Sequence, residues 1–114
     1  MEIKIIREAI SLGQVKPMAA ANYGDMIKAV VDVGRKIMAL GGELHADAEE
    51  VLLNDGSSPD NLWGINIYPD NPGDEMIVYS SLINISPKRG NRSIMIEIPE
   101  VKEKIREIVK NLIS

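Results

Sequence analysis

The sequence contains no cysteine and no phenylalanine, and its aromatic share is only 4%. The absence of cysteine excludes disulfide bonds, cysteine-ligated zinc and a thiol nucleophile, and it is typical of proteins of the reducing cytoplasm. No apolar run approaches the roughly 20 residues that a transmembrane helix needs. We therefore expect a soluble cytoplasmic protein with no membrane partner and a core of Ile, Val, Leu and Met.

The composition is that of an ordinary globular protein, with 114 residues of which 45% are hydrophobic and 26% charged. This length suits one domain that buries its own core, and no linker or low-complexity tract divides it. We therefore predict a single α+β domain over residues 1–114. The net charge of −4 argues against nucleic acid as a partner of the whole surface, although it permits a local basic patch.

Alternating apolar residues predict the strands. Four segments show this pattern, at residues 2–7, 62–69, 76–87 and 93–98. The stretch from Met26 to Leu40 fits two structures, because its apolar residues match both helical spacing and the two arms of a β-hairpin turned at Gly34 and Arg35. We favour the hairpin, since the stretch is rich in valine.

Capping residues and a helical period predict the helices. Ser11, with a glutamine three residues later, opens the first helix, and Asp47 with Glu50 opens a second that ends at Gly56. A third, amphipathic helix begins at Pro99 and runs to the C-terminus. The expected fold is α+β, a mainly antiparallel sheet of five or six strands with two or three helices packed on one face.

The only histidine, His45, lies among carboxylates at every second position, namely Glu43, Asp47 and Glu49. The four side chains share one face of an extended segment, whereas in a helix His45 and Glu49 are one turn apart. Either geometry would offer a divalent metal ion an imidazole and carboxylates, and a metal-bound water of lowered pKa attacks esters and phosphates.

We therefore interpret these four residues as candidate ligands of a divalent metal in a metal-assisted hydrolase. His45 and Asp47 are the candidate catalytic residues, and without a metal His45 would serve as a general base. We favour the structural alternative, in which Asp47 caps a helix, Glu49 is solvated and a backbone carbonyl holds His45.

A basic turn follows the third predicted strand, with cationic side chains at Lys88, Arg89 and Arg92. These side chains could clamp a phosphate while Gly90 lets the backbone amides approach, so they form a candidate site for an anion or RNA. We favour the alternative of a solvated hairpin loop on an acidic protein.

Three polar residues, Asp32, Asn66 and Asn84, stand between branched apolar residues. Side chains so placed lie on the exposed face of a sheet or are hydrogen-bonded inside it. Together with His45 they define a candidate polar face for a ligand or partner.

Several motifs together resemble a small family of uncharacterised prokaryotic proteins. They are Y-G-D-M-I-K-A-V-V-D at residues 23–32, G-G-E-L-H-A-D-A-E at 41–49, L-W-G-I-N-I-Y-P at 62–69 and S-L-I-N-I-S-P at 81–87. That family carries only a label of unknown function. The resemblance spans nearly the whole chain, and it implies a free-standing one-domain protein without transferring an activity, a ligand or a catalytic residue.

Three functional hypotheses follow from the sequence. The leading one is a small binding or regulatory domain that acts through the polar face around His45 and Asn66, with a homodimer left open. The others are the metal-assisted hydrolase and the anion or RNA site.

Overall fold

Five strands form one antiparallel sheet in the computed structural model, which describes residues 2–114. The strands are β1 (Ile3–Ile6), β2 (Ile27–Asp32), β3 (Ile37–Gly41), β4 (Leu62–Ile67) and β5 (Ile77–Val78), in the order β1-β3-β2-β4-β5 across the sheet. The helices are α1 (Leu12–Ala21), α2 (His45–Asn54) and α3 (Pro99–Leu112). The predicted α+β class and antiparallel sheet are confirmed. No helix within residues 2–114 is long and apolar enough to cross a membrane.

The helices cover both faces of the sheet. Helices α1 and α3 pack on one face, where Ile105 of α3 belongs to the same buried cluster as Ile65 of β4. Helix α2 packs on the opposite face, where its Leu52 joins Val30 of β2. Two helices thus share a face as predicted, but the third does not. The reason is that the central strands are apolar on both sides, so that every residue of β3 is buried.

Strands β2 and β3 form the favoured hairpin, and the helical alternative for residues 26–40 does not occur. Asp32 builds the turn, because its Oδ1 accepts hydrogen bonds from the backbone amides of Gly34 and Arg35, both at 2.9 Å. Lys36 completes it with a positive φ of 58°. Aspartate side chains that bond to nearby backbone amides favour turns and helix starts over helix interiors, so Asp32 disfavours a continuous helix through this stretch.

Two of the predicted helix starts are correct and one is displaced. Ser11 caps α1, since its Oγ accepts from the Gln14 amide at 3.1 Å, and α3 begins at Pro99. Asp47 is not an N-cap: α2 begins two residues earlier, and the Asp47 carboxylate reaches back to accept from the Leu44 amide at 3.3 Å. The predicted end is correct, because α2 stops at Asn54 and Gly56 follows with a φ of +104°.

Of the strand predicted at 76–87 only Ile77–Val78 forms, and the strand predicted at 93–98 is wrong apart from one bridging residue, Met95. Strand β5 is only two residues long, an isolated bridge joins Ser80 to Met95, and short 3-10 turns occupy Leu82–Asn84 and Pro87–Arg89. Two backbone hydrogen bonds, Ser81 to Ile94 and Ile96 to Tyr79, flank the bridge, and beyond it hydrogen bonds from asparagine side chains take the place of strand pairing.

Asn84 takes the place of a strand beside β4. Its Oδ1 accepts from the Gly64 amide at 2.8 Å, and its Nδ2 donates to the carbonyls of Gly64 at 2.9 Å and Ile94 at 3.1 Å. Asn91, which is also fully buried, donates to three carbonyls and accepts from one amide within residues 84–97. Two asparagine side chains therefore hold this irregular segment against the edge of the sheet.

Candidate functional site

A cleft of about 350 Å³ lies on the α2 face of the sheet, walled by the start of α2, by β2 and β4, and by residues 80–83. The residues that characterise its lining are Lys28, His45, Asn66, Ser80, Leu82 and Ile94. The register of β2 and β4 sets Lys28 directly opposite Asn66, so these two side chains share the face. The cleft thus brings together His45 and Asn66, which the sequence placed in one polar face.

His45 is the first residue of α2, and its imidazole is half-buried. The Nε2 atom lies 2.7 Å from the carbonyl oxygen of Ile65. Because a carbonyl oxygen only accepts hydrogen bonds, Nε2 carries the proton, and in the neutral ring Nδ1 carries the free lone pair.

Burial lowers the pKa of His45 from its ordinary value of 6.5, and the charge of Lys28 lowers it further. The hydrogen bond to the Ile65 carbonyl and the neighbouring polar side chain of Asn66 oppose this change in pKa without reversing it. At neutral pH the cleft therefore presents an uncharged imidazole.

The Asn66 side chain has an unused acceptor. Its Nδ2 donates one long hydrogen bond of 3.4 Å to the Ser80 carbonyl, while its buried Oδ1 has no partner among the described residues. A buried polar atom without a partner costs about 1–3 kcal/mol, and such atoms are few in folded proteins. Asn66 lines the cleft, and a turn of its side chain would bring this acceptor to a bound molecule with an N–H or O–H group.

Exposed apolar side chains surround these polar groups. Leu82 is 77% exposed, and Leu44 and Ile94, which also line the cleft, are 56% and 43% exposed. A few polar atoms among apolar side chains are the usual composition of a small-molecule site. The arrangement is suited to a ligand with one polar group and an aliphatic body.

Lys28 is held at the side of the cleft. Its Nζ donates to the Glu43 carbonyl at 3.0 Å and lies 5.2 Å from the centre of the Tyr23 ring, whose hydroxyl donates to the same carbonyl at 2.5 Å. These contacts occupy the ammonium group with the protein itself. Lys28 therefore acts on the cleft mainly through its charge, which favours the neutral form of His45.

The structure does not bring Glu43, His45, Asp47 and Glu49 together as metal ligands. Glu43 and Asp47 are exposed, and Asp47 bonds to the backbone at the start of α2. Glu49 is half-buried, and burial raises the pKa of its carboxyl while the charge of Arg89 lowers it. Within residues 2–114, no group of three His, Asp or Glu side chains is placed to hold a metal ion.

The basic turn does not form a clamp of three cations. Lys88 and Arg92 are exposed, but Arg89 turns inward, with its guanidinium carbon 3.7 Å from the centre of the Trp63 ring. Arg89 also donates to the Leu62 carbonyl at 2.8 Å and to two further carbonyls. Its hydrogen-bonding capacity is thus directed at the protein, where it closes the edge of β4 beside Asn84.

Of the three residues of the predicted polar face, only Asn66 lines the cleft. Asp32 is fully buried, and beyond the turn amides it accepts from the Ser57 hydroxyl at 2.6 Å. Asn84 is fully buried at the edge of β4. Both therefore have structural roles, which is one of the two interpretations that the sequence left open.

The sequence interpretation missed Lys28, Ser80, Leu82 and Ile94. Only Lys28 carried a signal, since a lysine inside the apolar run of a central strand marks a position where the sheet face is open. The other three come from the irregular segment, and no periodic pattern predicts which way their side chains face.

A family model described as "Protein of unknown function (DUF5674)" matches residues 4–112. No curated protein and no solved structure matches the chain. The family match covers nearly all of the described residues, including every element that walls the cleft.

Proposed function

The chain belongs to the DUF5674 family of proteins of unknown function, and from that premise we propose that it is a small binding domain with its ligand site in the cleft at His45 and Asn66. One observation carries this proposal. The Oδ1 atom of Asn66 is buried without a partner among residues 2–114, although Asn66 lines a cleft. Buried polar atoms are nearly always hydrogen-bonded to protein or to water, and at the wall of a cleft a bound molecule can supply the missing donor.

The size of the cleft favours a small molecule. Its volume of about 350 Å³ falls at the lower end of the range that ligand pockets occupy, roughly 300–1,000 Å³. The metal-assisted hydrolase and the anion or RNA site gain no comparable support, since their residues are dispersed or bonded to the backbone. The proposed location is the cytoplasm. The proposed oligomeric state is a monomer or a homodimer, and sedimentation at two protein concentrations distinguishes the two states.

Binding is tested by titrating isotope-labelled protein with three probes of equal chain length, hexanamide, hexanol and hexanoate, at millimolar concentrations. We expect at least one probe to shift the backbone amide signals of residues 44–46 and 80–83 by nuclear magnetic resonance. The signals of residues 99–106, on the opposite helix layer, should change much less.

A pair of variants locates the binding site. Ala46 is exposed and lines the cleft, so Ala46→Phe should occupy part of its volume and weaken binding of the probe. Ala20 is exposed on α1, across the sheet, and Ala20→Phe is the matched control that should bind normally. The proposal is wrong if no probe shifts these signals, or if Ala46→Phe binds the probe as well as the wild type does.

A further inference from the structure

Two neighbouring side chains in the cleft offer hydrogen-bond acceptors. They are Oδ1 of Asn66, which is buried and unpartnered among the described residues, and Nδ1 of the neutral His45 ring. Asn66 also has a spare donor, because an amide nitrogen carries two hydrogens and only one long bond, to the Ser80 carbonyl, uses it. The polar part of the cleft therefore combines surplus acceptors with one spare donor.

We propose that the ligand is a small aliphatic molecule with a primary amide group, which pairs with the side-chain amide of Asn66. Its N–H donates to Asn66 Oδ1, and its carbonyl oxygen accepts from Asn66 Nδ2. This inference rests on the proposed function, since it specifies the ligand of the same cleft.

Other polar groups fit these atoms less well. A carboxylate has no hydrogen to donate at neutral pH, so it would leave Oδ1 unpaired and set a negative charge beside it. An alcohol supplies one donor, but it does not match both the oxygen and the nitrogen of a planar amide. A primary amide presents a donor and an acceptor side by side, in the geometry of Asn66 itself.

The surroundings favour an aliphatic ligand. The Lys28 ammonium is directed at the Glu43 carbonyl and the Tyr23 ring. His45 is uncharged at neutral pH, so among residues 2–114 Lys28 is the one charged residue of the lining, and hexanoate tests whether a ligand pairs with it. Leu82 and Ile94 border the cleft with largely exposed apolar surface. An alkyl chain would remove this surface from water, which contributes about 25 cal/mol for each Å² of apolar area that is buried.

The test compares hexanamide with N,N-dimethylhexanamide, which keeps the carbonyl and the alkyl chain but has no N–H. An unsatisfied buried acceptor costs about 1–3 kcal/mol, so we expect the dissociation constant of the dimethyl compound to be roughly ten-fold larger or more. In Asn66→Ala the two dissociation constants should become similar. Asn71→Ala, at an exposed loop position, should keep the wild-type difference.

The outcomes separate the inference from the proposed function. If the dimethyl compound or hexanoate binds in the cleft as tightly as hexanamide, the inference of an amide ligand is wrong while the cleft remains a binding site. The same holds if Asn66→Ala, with an unchanged circular dichroism spectrum, keeps the preference for hexanamide. If none of the probes binds in the cleft, both proposals fail.

Discussion

Two asparagines in the same Ile-Asn-Ile context should differ sharply in their contribution to stability. Asn84 makes three hydrogen bonds to the backbone of β4 and of residue 94, at distances of 2.8–3.1 Å. Asn66 makes one long hydrogen bond of 3.4 Å and leaves its oxygen unpaired. Replacing each by alanine compares a side chain that substitutes for a strand with one that is free for a ligand.

The magnitude follows from the atoms that lose their partner. Asn84→Ala leaves the amide and the carbonyl of Gly64 without their partner in a fully buried position, while the Ile94 carbonyl still accepts from the Ser81 amide at 3.0 Å. At about 1.5 kcal/mol for each of the two unpaired groups, the free energy of unfolding should fall by about 3 kcal/mol. This is a large part of the roughly 5–15 kcal/mol that a domain possesses, and it lowers the melting temperature by roughly 12 °C.

The assay is urea unfolding followed by far-ultraviolet circular dichroism, with the dependence on urea concentration compared between the proteins. Asn66→Ala is the control, and its free energy of unfolding should stay within about 1 kcal/mol of the wild type, since it removes little hydrogen bonding and an unpaired acceptor. The reasoning is refuted if the two variants lose similar stability, or if Asn84→Ala loses less than about 1 kcal/mol.

Two further predictions concern charged side chains. Arg89→Ala removes the stacking on Trp63 and the hydrogen bonds to backbone carbonyls, so the free energy of unfolding measured in urea should fall by about 2 kcal/mol. Arg92 is exposed, so Arg92→Ala should stay within about 0.5 kcal/mol of the wild type, and equal losses in the two variants would contradict the prediction. Burial holds the pKa of His45 in the folded protein below its ordinary value of 6.5, so the unfolded chain binds the proton more readily than the folded one. The free energy of unfolding should therefore fall as the pH decreases from 6.5 through the pKa of the folded state. The test is chemical unfolding of the wild type and of His45→Gln at several pH values. The difference between their free energies of unfolding cancels the opposite contribution of Glu49 and should decrease as the pH falls, whereas a difference that does not change with pH would disprove the prediction.

The regular part of the fold was predictable because its signals are local. The capping pair at Ser11, the proline that opens α3 and the valine-rich hairpin are each decided by residues a few positions apart. Asp47 shows the limit of such signals, since the same residue type serves at the N-cap and three residues inside a helix. The local pattern gave the existence of α2 correctly and its first residue wrongly.

The segment after β5 was mispredicted for a non-local reason. Its isoleucines alternate as in a strand, but the partners of Asn84 lie about twenty positions earlier in β4, where Gly64 leaves room for Ser81 to approach. A Cβ on Gly64 would lie 2.5 Å from the Ser81 Cβ, so this contact requires glycine. Periodicity within one segment carries no information about such a contact.

The candidate site was predictable only in part. His45 and Asn66 stood out because one is the only histidine and the other is a polar residue among isoleucines, and the structure places both in one cleft. The grouping of His45 with its neighbouring carboxylates assumed that residues close in sequence also converge. In the structure the imidazole turns to the Ile65 carbonyl instead, toward a strand that follows it by twenty positions.

The stacking of Arg89 on Trp63 also provides an internal optical reporter. Trp63 is the only tryptophan of the chain, and the cation lies 3.7 Å from the centre of its ring. Its fluorescence therefore senses whether the turn at residues 87–89 is docked. If this turn opens before the sheet unfolds, the emission changes while the circular dichroism signal persists, so detachment of the irregular segment can be followed without a label.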